Sequence, residues 1–156
     1  MRLFFVFLFI LSSTAASGNE TFQSALERMY PDCKLEKEIL YLTKDQKKKI
    51  EELSGVRSHS RLANRFKTCR GDYVYVDSHI VRTLNQTVVV EVSDKKVKSF
   101  NVSAFLEPQE YKAPIKWLAQ IAKKALDEIV LFKQIDGLSG ATLTAKANVD
   151  AARRVL

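Results

Sequence analysis

The sequence is short of the residues that usually announce a chemistry. Of its 156 residues, two are cysteine and two are histidine. Cys33 and Cys69 form neither a CxxC nor a CxxCH, which excludes a thioredoxin-type redox pair and haem attachment. His79 stands without a carboxylate or cysteine at ligand spacing, so no metal site is written around it. The five glycines contain no G-x-G-x-x-G fingerprint of a dinucleotide fold. No acid–base pair suited to a small-molecule substrate stands out, and no catalytic residue is assigned. The apolar run Leu3–Leu11 is nine residues long, against about 20 for a membrane span. Internal repeats and low-complexity linkers are absent.

What is present begins with a leader. Arg2, the apolar run and the small residues Ser12 to Gly18 follow the order of a secretory signal peptide, with cleavage after Ala16 or after Gly18. A retained anchor is the competing reading, and the shortness of the run argues against it. No cysteine sits at the exit to take a lipid. Export to a periplasmic or other extracytoplasmic space is therefore expected. Removing residues 1–18 takes away one charge, Arg2, and leaves the chain basic. Part of the excess is concentrated at Lys44, Lys47, Lys48 and Lys49, a pattern usual for a solvated helix face. Neither base-stacking aromatics nor a nucleic-acid motif accompanies it, so no nucleic-acid partner is expected. In an exported chain, Cys33 and Cys69 are either one disulfide or two buried thiols. Asn19, Asn85 and Asn101 stand in N-x-Ser/Thr sequons.

Along the chain, residues 19–60 read as an N-terminal helical segment and residues 61–156 as the main domain. Glu20–Tyr30 has helical spacing and ends at Pro31. Leu35, Ile39, Leu40 and Leu42 continue that spacing. Thr43 and Gln46 have the form of a capping box, opening a helix that stops at Gly55. From Arg61 the period changes to two, with a turn at Arg70-Gly71-Asp72. Strands are expected at Tyr73–Val76, Thr87–Val92 and Val97–Phe105, the last two joined tightly through Ser93–Lys96. Pro108 and Pro114 bracket a loop. Ile115, Leu118, Ile121, Ala122 and Ala125 mark an amphipathic helix, and a final helix spans about Thr144 to Val155. The fold class is α+β, an antiparallel β-sheet packed with helices.

Between Ile135 and the final helix lies Asp136-Gly137-Leu138-Ser139-Gly140-Ala141-Thr142-Leu143-Thr144. Gly137 and Gly140 open backbone conformations closed to other residues. The hydroxyls of Ser139, Thr142 and Thr144 surround amides that the first helical turn leaves unpaired. Such a turn suits a phosphate, which the helix dipole also favours. An ordinary N-cap with a flexible approach would contain the same residues.

The run Asp136-x-x-Ser139-Gly140-Ala141-Thr142 resembles the flavinylation motif of the FMN-binding domain family. That family includes flavin-bearing components of the Rnf electron-transport complex and of the sodium-translocating NADH:quinone reductase. Further upstream, Asp77-Ser78-His79-Ile80-Val81-Arg82 is similar to the DTHxVR stretch of single-domain exported members. Val97–Val102 is similar to the strand after their DGKV-like turn, with Lys95 in place of the usual glycine. Glu107-Pro108-Gln109-Glu110-Tyr111, with Pro114 and Trp117-Leu118, looks like their EPxxYxPxxWL segment. The resemblance covers roughly residues 71–156.

It implies FMN held covalently, the Thr142 hydroxyl being esterified to the FMN phosphate by a dedicated flavin transferase that uses FAD. Thr144 would hydrogen-bond the phosphate. Ser139, Gly140 and Ala141 would shape the turn, and Asp136 would orient the acceptor or help the transferase recognise it. Tyr111 and Trp117 offer aromatic faces to the isoalloxazine. For Trp117 a core anchor is an equal alternative, and for His79 a structural hydrogen bond is favoured. Arg82 could pair with the phosphate or with Glu107. The expected function is that of an exported electron-transfer flavoprotein working with membrane or extracytoplasmic redox partner proteins. A small flavin-dependent reductase and a binding module without flavin are the alternatives.

Overall fold

A computed structural model describes residues 21–58 and 60–156. The leader and the Asn19 sequon lie outside the described residues. The architecture is α+β, built on one five-stranded antiparallel sheet. Its strands are β1 (Glu36–Tyr41), β2 (Leu62–Lys67), β3 (Tyr73–Ile80), β4 (Asn85–Ser93) and β5 (Lys96–Phe105), each hydrogen-bonded to the next in chain order. The helices are α1 (Phe22–Met29), α2 (Lys44–Ser54), the single turn α3 (Ile115–Leu118) and α4 (Thr142–Val155). Among the described residues no helix is long and apolar enough to cross a membrane.

Strand β4 explains why both faces of the sheet are covered. Val88, Val89 and Val90 are all fully buried, and successive strand side chains point to opposite faces. Val88 and Val90 pack with Phe100, Trp117, Leu118, Ile121 and the α4 residues Ala145 and Val149. Val89 joins Phe66 and Val74 beneath Ala25, Leu26 and Tyr30 of the α1 region. The β4–β5 connection is a two-residue turn with positive φ at Asp94 and Lys95, the geometry that matches the twist of adjoining strands.

Two expectations are corrected. Residues 35–42, read as helical, include strand β1. Their apolar spacing fits a helix, but Glu36–Tyr41 pairs residue for residue with Lys67–Leu62. That pairing satisfies the backbone groups through β2 rather than within the segment. The amphipathic helix expected over Ile115–Ala125 is also cut short. After α3 the bonds tighten to three-residue spacing, as in Gln120 N–H to Trp117 O at 3.1 Å and Ile121 N–H to Leu118 O at 3.0 Å. Lys123 then turns to positive φ. Its N–H donates to Val97 O at 2.6 Å, and Val97 N–H donates to Lys124 O at 3.0 Å. The chain leaves the helix to cover the start of β5, an edge whose groups would otherwise lack partners. The final helix begins two residues earlier than expected, at Thr142.

Cys33 and Cys69 form a disulfide, which ties the segment after α1 to the β2–β3 turn.

Candidate functional site

The start of α4 is open. Gly140 precedes it with φ +75°, a left-handed conformation that a side chain would resist. Ala141 N–H closes the turn onto Leu138 O at 3.0 Å. Ala141 occupies the N-cap, so no side chain can cap the helix there. The first amide of α4 with a helical acceptor is that of Ala145, which donates to Ala141 O at 3.0 Å. Among the described residues the amides of Thr142, Leu143 and Thr144 have no acceptor. Thr142 is exposed at the first helical position. Thr144, one step deeper, is only 2% exposed. It lines the same cleft, and its hydroxyl has no hydrogen-bond partner among the described residues.

That cleft measures about 370 Å³ and is lined by Val81, Arg82, Glu107, Tyr111, Gly140, Ala141, Thr142, Leu143 and Thr144. Its size falls within the range of small-molecule sites. Besides the start of α4, the lining takes in the turn between β3 and β4, held by one carboxylate. Glu107 Oε1 accepts from the amides of Arg82 at 3.1 Å, Thr83 at 2.6 Å and Leu84 at 2.7 Å, and from the Thr83 hydroxyl at 3.3 Å. The amide bonds from Thr83 and Leu84 lead in holding the Glu107 carboxyl below the usual carboxylate range, because they favour its charged form. Arg82 meets Glu107 through its main chain. Its guanidinium, in the cleft lining, has no partner among the described residues.

Of the residues singled out from the sequence, Thr142, Thr144, Gly140, Ala141 and Tyr111 come together in the cleft. Ser139 and Asp136 are exposed on the approaching loop, outside the lining. Trp117 is buried in the core, and its Nε1 donates to Asp136 O at 3.0 Å. With the Asp136 amide donating to Gln120 Oε1 at 3.0 Å, Trp117 fixes the loop that leads to the cleft.

His79 belongs to a polar chain beneath α4. Its Nδ1 lies 2.7 Å from Asp77 Oδ2, which also accepts from Arg154 at 2.6 Å. Its Nε2 lies 3.3 Å from Gln86 Nε2, which donates to Asn148 Oδ1 at 2.7 Å. The arrangement suits a neutral imidazole, donating at Nδ1 and accepting at Nε2. Burial works to raise the Asp77 carboxyl, but the His79 hydrogen bond and the Arg154 charge hold it below its ordinary range. Gln86 and Asn148 are fully buried, and the chain ties β3 and β4 to α4. Among the described residues no cluster of histidine, cysteine, aspartate and glutamate could hold a metal ion.

Sequence reasoning left Glu107 out of the site, although it opens the Glu107–Tyr111 stretch. It also missed Val81 and Leu143. The missing signal is spatial, since Glu107 acts on a turn more than twenty residues away.

Comparison with known proteins adds one match. Residues 84–156 fit the family model described as FMN-binding domain, a span that contains β4, β5, Glu107 and α4. No curated protein and no solved structure matches the chain.

Proposed function

We propose, for a chain that belongs through residues 84–156 to the FMN-binding domain family, that Thr142 carries FMN through a phosphoester and that the protein is an exported electron carrier. Binding of FMN follows from the family; the covalent link, the carrier role and export are our reading. The observation that carries the link is the exposed Thr142 at a helix start whose first three amides lack acceptors among the described residues.

The residues present fit the group. The amides of Thr142, Leu143 and Thr144 and the free Arg82 guanidinium supply donors and positive potential for a phosphate. The Thr144 hydroxyl, without a partner among the described residues on a residue that lines the cleft, adds one more donor. Tyr111 and Leu143 give the cleft apolar surface for a ring system. During maturation by a flavin transferase, the Thr142 oxygen forms a bond to the FMN phosphorus of FAD. The pyrophosphate P–O bond then breaks, AMP leaves and the hydroxyl proton is released. The bound cofactor supplies one- and two-electron transfer. The protein's part is to hold it and to keep it from diffusing away, which suits an extracytoplasmic carrier. The partners this implies are the flavin transferase and membrane or extracytoplasmic redox proteins.

Co-expression with a flavin transferase, followed by mass spectrometry of the intact chain, tests the link. We expect an FMN-sized increment that Thr142→Ala abolishes and Thr144→Ala retains. An unmodified wild-type chain beside an active transferase would falsify the link, and loss in Thr144→Ala alone would move it to that residue. N-terminal sequencing of secreted protein should begin after Ala16 or Gly18.

A further inference from the structure

One oxygen in the cleft is left over. Glu107 is 6% exposed, and its Oε1 takes all four bonds from the Arg82–Leu84 turn. Its Oε2 has no partner among the described residues, although Glu107 lines the cleft. The turn needs one acceptor oxygen, so shaping the turn accounts for half of the carboxylate. The other half is an acceptor left over on a side chain that lines the same cleft as Thr142 and Thr144. An ionised carboxylate accepts hydrogen bonds and donates none.

We propose that Glu107 Oε2 receives the hydroxyls of the ribityl chain and so makes the cleft selective for a phosphate that bears a polyol. This rests on FMN occupying the cleft with its phosphate at Thr142. A phosphate would be repelled by Glu107, so the two anions must lie apart. The donors that FMN offers are its ribityl hydroxyls and the ring N3–H. The ribityl carbons follow directly from the phosphate, whereas N3–H lies at the far side of the ring system. A charged acceptor that meets the ligand's hydroxyls also favours flavin phosphates that carry them over those that lack them.

The test is Glu107→Gln in the full chain, loaded by the transferase. Glutamine keeps an oxygen for the three amides but not the charge that strengthens those bonds, so the unloaded protein should still unfold cooperatively, at a somewhat lower melting temperature. It removes a negative charge from the ribityl side of the flavin. The midpoint potential of the loaded variant should therefore move to more positive values, because reduction adds electrons to the flavin. Loss of loading in a variant that still unfolds cooperatively also supports contact. The proposal is overturned if loaded Glu107→Gln has the potential and absorbance of wild type. It is also overturned if Glu110→Gln, on the exposed neighbour, shifts the potential equally. Wild-type protein that loads no flavin would instead sink the reading on which the proposal rests.

Discussion

Two helix starts in this molecule are built in opposite ways. At α2 the Thr43 hydroxyl accepts from Gln46 N–H at 3.1 Å, and the Gln46 side chain accepts from Thr43 N–H at 2.9 Å. The end is closed by its own side chains. At α4 the N-cap is Ala141, which has nothing to offer, and the three residues whose amides lack acceptors among the described residues line a cleft. The closed end was readable as a capping box and serves the fold alone. The open end forgoes a cap worth about 1 kcal/mol and keeps its donors for something outside the chain. An uncapped helix start that shares its cleft with an arginine lacking a partner among the described residues is the stronger pointer to a ligand.

Substitutions at each end should separate the two designs. The largest stability effect is expected for Gly140→Ala. A Cβ there meets no atom within 4 Å, so the cost comes from the positive φ alone, roughly 1–2 kcal/mol. Urea unfolding should read it, and flavin loading should fall with it because the approach to Thr142 is displaced. Thr43→Ala should cost about 1 kcal/mol and leave the FMN increment at wild-type level. A loading defect in that variant would erase the distinction between the two ends. Ala141→Ser should act in the reverse sense, stabilising α4 by about 0.5 kcal/mol while slowing flavin attachment, since the new hydroxyl competes for the amides. Unchanged attachment would mean that those amides do not bind the phosphate.

Acid should break the comparison in a different way. The contacts at Thr43 and Gln46 do not titrate, whereas the α4 region depends on Asp77 and Glu107, both held below their ordinary range. A depressed carboxylate contributes stability that is present above its unfolded value of about 4 and is lost as pH falls through the lower folded value. Amide exchange, corrected for intrinsic rates, should therefore show residues 81–84 and the α4 contacts loosening as pH falls from about 5 to about 3. The first turn of α2 should change less. Equal loosening at both ends would contradict the assignment.

Where the determinants are local, the sequence was legible. Thr43 and Gln46 lie three residues apart, the Ser93–Lys96 turn pairs its own flanks, and the β-branched run of β4 reads as a strand by itself. The same holds for Thr142 and its glycine approach, because the turn and the helix start are contiguous. The errors arose where a distant segment decided. β1 carries a spacing compatible with a helix, and only β2, some twenty-five residues on, turns it into a strand. The end of α3 depends on Val97 offering partners to Lys123 and Lys124. Glu107 reads as an ordinary acidic residue until the fold brings the amides of Arg82, Thr83 and Leu84 to it. Likewise, the chain from Arg154 to Asn148 exists only once α4 lies across β3 and β4.

The strand order has a consequence for how the cleft comes into being. Each strand pairs with the one made just before it, so the sheet can grow hairpin by hairpin as the chain emerges. The helix that seals Val88 and Val90 is made after all five strands, and it brings Thr142, the proposed flavin acceptor, with it. Until α4 docks, the cleft has one wall, and Thr142 is a hydroxyl on an unpacked segment. A modifying enzyme that recognises the assembled turn therefore meets its target only on a chain whose core is already closed. On the proposed function, attachment of the cofactor is then a late event that reads out successful folding.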